Sequence, residues 1–239
     1  MTTNHVHDIY SVFADTARRR PRHPAVIYLG NQFSYGLIKD LAGRFAAALS
    51  GLGIESGQKV MMYIPNSVQW VVSWLGIQKL GAVAVPITPI YTPHDLQYIA
   101  NDSDAQSIIC ADTNFGYVTS VLSKTRLKQV IVTNVADLLP WWKRYFGILF
   151  DIIPRGKFTL DDRTSTFRDL LSRPTGSSQQ EPVSAKGGTA LAEILYTGGT
   201  TGFPKGVPGN HTGMTSYVND VTDDVAGDRL NEGRDVYIA

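Results

Sequence analysis

YTGGTTGFPKG, residues 196–206, holds four glycines, three threonines and one lysine in eleven positions. Gly198, Gly199 and Gly202 let backbone N–H groups turn inward and approach a ligand closely, which is how a peptide makes an anion nest. Thr197, Thr200 and Thr201 add hydroxyl donors, Lys205 adds a mobile positive charge, and Pro204 stiffens the approach to that lysine. These donors suit polyphosphate oxygens. A short apolar strand, residues 191–196, delivers the loop. The run fits neither the Walker pattern, which needs Gly-Lys followed by Ser or Thr, nor Gly-x-Gly-x-x-Gly. The plain alternative is a flexible surface turn, but a turn needs neither three threonines nor a lysine at these places.

Working back from the loop, helical and strand signals alternate over the first 135 residues. The pattern predicts a helix over 8–20 stopped by Pro21, a strand over 25–29, a Gly30-Asn31 turn and a second short strand through Phe33. Ser34 is placed to cap the next helix, whose apolar stripe reads Leu37, Leu41, Phe45, Leu49 and Leu52. A buried strand over 59–64 follows, then a helix over 68–80 started by Pro65-Asn66-Ser67 and broken by Gly81. Strands at 82–85, 106–110 and 130–133 alternate with helices at 93–101, where Pro93 suits the first turn, and near 115–123. Repeated strand–helix–strand units make this an α/β chain with a mostly parallel sheet and helices on both faces. Residues 172–188, rich in Ser, Pro, Gly and Gln, read as a loop or linker.

The 239 residues are 43% hydrophobic and 18% charged, ordinary for a globular chain. Net charge is +1, with 22 Lys and Arg against 21 Asp and Glu, so no general field draws nucleic acid. Cys110 is the only cysteine, which excludes an internal disulfide framework and a cysteine-based zinc site. It sits in the apolar run Ser107-Ile108-Ile109-Cys110-Ala111 and is expected to act as a small core hydrophobe. The first ten residues lack the apolar segment of a signal peptide, and no uncharged apolar run reaches the roughly 18 residues of a spanning helix. A cytoplasmic protein, at most peripheral on a membrane, is expected.

One stretch breaks the rhythm: residues 139–154, LPWWKRYFGILFDIIP. On a helical wheel Trp141, Trp142, Tyr145, Phe146, Leu149, Ile152 and Ile153 share a broad apolar arc, with Lys143, Arg144, Gly147 and Asp151 opposite. Two readings stay open: an interfacial helix resting on a bilayer, or packing against the body or a second subunit. His211 is open in the same way, between facing the loop and merely starting a helix beside Asn210.

YTGGTTGFPKG resembles the signature phosphate loop of the adenylate-forming ligases, the superfamily of acyl-CoA synthetases, luciferases and peptide-synthetase adenylation domains. Residues 33–60 and 63–110 resemble the N-terminal region of these enzymes as well. The loop with its continuation KGVPGNHTGM looks most like long-chain fatty-acid–CoA ligases. The resemblance implies a two-step reaction with ATP, magnesium and coenzyme A: a fatty-acid carboxylate attacks the α-phosphate to give acyl-AMP and pyrophosphate, then coenzyme A displaces AMP. It implies that Thr197 lies on the magnesium side, that Gly198, Gly199, Thr200, Thr201 and Gly202 wrap the phosphates, and that Lys205 is a catalytic residue that neutralises charge, the lysine that serves adenylation belonging to a C-terminal domain. Family members are about twice this long. The chain is therefore expected to be the N-terminal portion of an AMP-binding domain over 1–239, ending at the start of a strand at 235–239, to pair with the remaining C-terminal half, and to be inactive alone. A second copy of the chain, in a homodimer, is a further expected partner. Besides the fatty-acid–CoA ligase, an aryl-CoA or luciferase-like ligase and a non-catalytic nucleotide- or partner-binding subunit remain open.

Overall fold

The computed structural model describes residues 8–173, 188–198 and 203–220. In chain order the elements are α1 (Ile9–Arg19), β1 (Pro24–Tyr28), β2 (Asn31–Ser34), α2 (Tyr35–Gly51), β3 (Lys59–Tyr63), α3 (Val68–Leu80), β4 (Val83–Pro86), α4 (Pro93–Asp102), β5 (Ser107–Ala111), α5 (Phe115–Val121), β6 (Gln129–Thr133), α6 (Trp141–Leu149), β7 (Thr164–Thr166), α7 (Phe167–Ser172), β8 (Leu191–Thr197), β9 (Lys205–Asn210) and α8 (His211–Asp220).

Short polar residues start the helices as their chemistry requires. Asp8 accepts the backbone N–H of Ser11, Ser34 that of Leu37 and Ser67 that of Trp70, each satisfying a donor with no partner inside its helix. Thr92 and Asp95 form a reciprocal capping box with Pro93 in the first turn of α4. Gly81 ends α3 in the left-handed region at φ 72°, where a side chain would be strained.

Among the described residues one sheet runs in the order β7-β6-β5-β3-β4-β8-β9, and β1 and β2 form a separate antiparallel pair. Pairings from β7 through β8 are parallel. The pleat sorts side chains between two layers. Val60, Met62, Ile109 and Ile131 face one way and pack with Ile38, Phe45, Val72 and Phe167 of α2, α3 and α7. Met61, Tyr63, Ile108, Cys110 and Val132 face the other way, with Leu96 and Ile99 of α4 and Val118 of α5. The expected α/β architecture with helices on both faces is what forms. Cys110 is fully buried, and burial pushes its thiol pKa far up, as for an inert core residue.

Four expectations need correction or completion. The inward stripe of α2 is Ile38, Ala42, Phe45 and Leu49, while Leu37 is exposed. Phe45 and Leu49 belong to both rows, and only the first half of the helix turns the neighbouring row, Ile38 and Ala42, toward the core. Strand β9 pairs antiparallel with β8, because a short loop can only return the chain beside itself. Strand β7 and helix α7 occupy a stretch with no strong periodic signal, and Phe167 reaches Phe45 at 4.9 Å between ring centroids. The linker at 172–188 begins one residue late, since Ser172 closes α7. Residues 174–187 of it, and the strand expected at 235–239, lie outside the described residues.

Candidate functional site

Strands β8 and β9 form a hairpin whose last paired residues are Thr197 and Lys205. The Thr197 hydroxyl donates to the Lys205 carbonyl at 3.4 Å. The hairpin therefore sets the first hydroxyl and the lysine of the phosphate-loop motif on opposite posts of one loop, both exposed, with Gly198 rising from the first post. Gly199, Thr200, Thr201 and Gly202 lie outside the described residues.

The hairpin is fastened to α4. Tyr196 donates its hydroxyl to the Asp102 carboxylate at 2.6 Å. Its phenol pKa stands well above the ordinary value, through burial first and the bond to Asp102 second. Phe203, on the returning arm, stacks on Tyr98 at 4.5 Å and on His94 at 5.5 Å. Pro204 beside it is buried, while Lys205 is exposed. Between Phe203 and α4 lies an open cleft of about 300 Å³ lined also by Gln97 and Asn101. Two anchors, one on each post, thus fix the mouth of the loop while leaving Thr197, Gly198 and Lys205 in solvent.

On its other side β8 leans on α3. Gln78 donates to the Ala192 carbonyl at 3.1 Å, and Trp74 donates its indole N–H to Glu193 at 3.2 Å. Glu193 is buried, and burial raises its carboxyl pKa, with the Trp74 bond offsetting part of the rise. His211, just past β9, is 1% exposed. Its Nδ1 accepts the backbone N–H of Ile9 at 3.5 Å, and burial lowers its pKa. It braces α8 against the start of α1.

A second polar group sits at the C-terminal ends of β5 and β6, where open α/β sheets often bind ligands. Here its members mostly pair with one another, although the buried Gln69 Oε1 accepts no hydrogen bond among the described residues. The Asn134 side chain donates to Asp112 and to the Pro154 carbonyl, both at 2.9 Å, and Gln69 donates to the Asn134 carbonyl at 2.8 Å. Asp137 accepts from Thr133 and from the Asn134 N–H. This cluster clamps the return of the α6 segment, and sequence periodicity gave no signal for it.

Magnesium, which the motif implies, takes about six oxygen ligands in octahedral geometry. Among the described residues Thr197 brings one hydroxyl to the loop, and no group of three or more His, Cys, Asp or Glu side chains is assembled. These residues alone do not make up a shell for that ion. Phosphate oxygens are a better match to what is present: a hydroxyl, a glycine amide and an ammonium at one mouth.

Comparison with known proteins follows the same line. The family model described as AMP-binding enzyme matches residues 13–239. The chain is 31% identical over 236 residues to the long-chain-fatty-acid–CoA ligase of Salmonella typhimurium, covering 96% of this chain and 41% of that one. Against the long-chain-fatty-acid–CoA ligase of Bacillus subtilis identity is 29% over 215 residues, or 85% and 36% of the two chains. Among solved structures, the anthranilate CoA ligase AuaEII in complex with anthranoyl-AMP superposes with a TM-score of 0.76 at 23% identity, over 92% of this chain and 38% of that chain. The apo structure of Mycobacterium smegmatis MbtA gives 0.73 at 26%, over 94% and 37%. The chain spans about two fifths of the length of these relatives.

Proposed function

Because the chain belongs to the AMP-binding enzyme family, we propose that it supplies the phosphate-gripping part of an ATP-dependent acid–CoA ligase acting on long-chain fatty acids. The observation that carries this reading is the hairpin itself: Thr197 and Lys205 stand as paired posts, held from behind by Tyr196 and Phe203. In the proposed reaction a carboxylate oxygen attacks the α-phosphorus of ATP and the bond to pyrophosphate breaks. The sulfur of coenzyme A then attacks the acyl carbon and AMP leaves.

The role of this chain lies in the first step. Negative charge grows on the departing pyrophosphate oxygens, and donors already in place stabilise it without reorganisation. Lys205 contributes a full positive charge from the returning post. The Thr197 hydroxyl and the Gly198 amide contribute from the rising post, and Gly199, Thr200, Thr201 and Gly202 are assigned the same task. Thr197 is also the proposed contact to magnesium that enters with the nucleotide. Fastening both posts holds Thr197 and Lys205 at the mouth of the loop.

The choice of a fatty acid rests on the two relatives described above, at 29% and 31% identity, both named for long-chain substrates. An aryl acid is the rival. The test is acid-, ATP- and coenzyme-A-dependent thioester formation by the protein carrying these residues, assayed with palmitate and with benzoate. Turnover with palmitate supports the proposal. Turnover with benzoate alone moves the substrate to the aryl class, and turnover with neither acid sinks the ligase reading.

A further inference from the structure

The second feature of interest lies far along the fold from the phosphate loop. Helix α6 is mounted with its apolar side outward. Gly147, on the polar side of the sequence wheel, is buried, and a side chain there would collide with Ile153. Ile153 also leaves the expected arc: after α6 the chain turns through Asp151 at φ 54°, and the Ile152 and Ile153 N–H groups donate back to the Gly147 carbonyl. Pro154 is held by Asn134, and Gly156 lies against the Asp112 backbone too closely for any side chain. The Lys143 ammonium donates to the Leu29 carbonyl at 3.3 Å. The body thus grips α6 by its small and polar side.

What remains outside is seven large apolar side chains within twelve residues. Trp141, Trp142, Tyr145, Phe146, Leu149, Phe150 and Ile152 are between 47% and 78% exposed. The body therefore leaves these side chains partly or largely uncovered among the described residues, and a bilayer or a second subunit are the two candidates to cover them. The patch continues onto the β1–β2 tip, which Lys143 touches and where Ile27 and Leu29 are half exposed. Scattered apolar residues on a surface are ordinary, but seven within twelve residues of one helix and its turn mark a contact.

Its chemistry favours lipid over protein. From 141 to 157 the charged residues are Lys143, Arg144, Arg155 and Lys157 against Asp151, a net of +3. No ion pair with a carboxylate forms at any of the four among the described residues. Tryptophan and tyrosine suit the boundary between headgroups and acyl chains, and a basic rim suits anionic headgroups. A second copy meeting this one across a two-fold axis would bring the two basic rims together with only Asp151 to answer them. Nine residues of helix span about 13.5 Å, too short to cross a bilayer, and among the described residues no helix is long and apolar enough to do so. The helix would lie in the plane of the surface.

We infer that α6 and the β1–β2 tip form a docking face for the surface of an anionic phospholipid bilayer. This goes beyond the ligase reading and does not depend on it, so either can fail alone. The test is co-sedimentation of the 239-residue chain with vesicles of phosphatidylcholine, with and without phosphatidylglycerol. Binding is expected to the mixed vesicles, weaker at high salt. It should fall at least about tenfold in Trp142→Ser with Phe146→Ser, and severalfold in Arg144→Gln with Lys157→Gln. These side chains are partly or largely exposed, so an unchanged circular dichroism spectrum is expected. Lipids brominated near the headgroup should quench the tryptophan fluorescence of the unaltered chain. No sedimentation with either vesicle, binding indifferent to phosphatidylglycerol, or binding unmoved by the double serine variant would overturn the inference. So would a concentration-dependent dimer, abolished by that variant, in a chain that ignores vesicles.

Discussion

Tyr196 and Asp102, 94 positions apart in the sequence, meet through a 2.6 Å hydrogen bond that ties the rising post of the phosphate-loop hairpin to the last turn of α4. Strand β8 has one parallel register pair with β4, Ala84 to Glu193, so the sheet alone holds this hairpin loosely. The side-chain tie supplies what the ladder does not.

Removing it should be measurable. Tyr196→Phe is expected to cost about 1 kcal/mol in urea unfolding, since the bond to a carboxylate is partly solvated. The pH dependence has a definite sign. The Tyr196 pKa is raised in the folded state above the ordinary 10.0. Its contribution should therefore be complete below pH 10 and be lost as pH rises past that value, where the unfolded phenol ionises first. The stability gap between wild type and Tyr196→Phe should stay constant from neutral pH to about 9 and shrink in more alkaline solution. A gap that widens with alkali would contradict the arrangement.

Glu193 gives the complementary case. Burial raises its pKa above the ordinary 4.5. The folded state then favours the protonated acid, so its stabilising effect is present below pH 4.5 and is lost as pH rises through the folded value. Glu193→Gln keeps an acceptor for Trp74 and carries no charge. The variant should match wild type near pH 4 and show the higher urea midpoint at pH 7. Equal midpoints at both pH values would mean that Glu193 is well solvated.

Phe203 is a positioning residue, acting on the loop through Tyr98 and His94. Phe203→Ala forfeits stacking worth about 0.5–1.5 kcal/mol. In an active protein this should raise KM for ATP about two- to tenfold, with kcat changed less. A selective loss of kcat with KM intact would place Phe203 in the chemistry itself.

Gly156→Ala tests the clamp beneath α6. The added methyl would collide with the Asp112 backbone, which cannot step aside as a side chain tip could. A loss of about 1–3 kcal/mol is expected in chemical unfolding. A neutral result would show that the return of this segment sits farther from β5 than described.

Local chemistry was what the sequence displayed well. Ser34, Ser67 and Pro93 at helix starts and Gly81 at a helix end act within a few residues, and each does what its type implies. The phosphate-loop composition is equally local. Relationships across the chain left no such trace. Nothing near Tyr196 points to Asp102, and nothing near Phe167 points to Phe45, because partners are chosen by sheet order. The wheel for 139–154 grouped the aromatic side chains well, but a wheel cannot tell which side a helix is held by. Gly147 decides that, since only a residue without a side chain admits Ile153.

The most direct test of the account is thioester formation from palmitate, ATP and coenzyme A by the active protein that carries these residues, compared with its Lys205→Ala variant. If Lys205 steadies charge on the leaving pyrophosphate, the variant should retain its fold and lose about 10²–10³-fold in kcat. Palmitoyl-CoA formation proceeding at the wild-type rate in Lys205→Ala would contradict the central claim that this loop grips the nucleotide for acid activation.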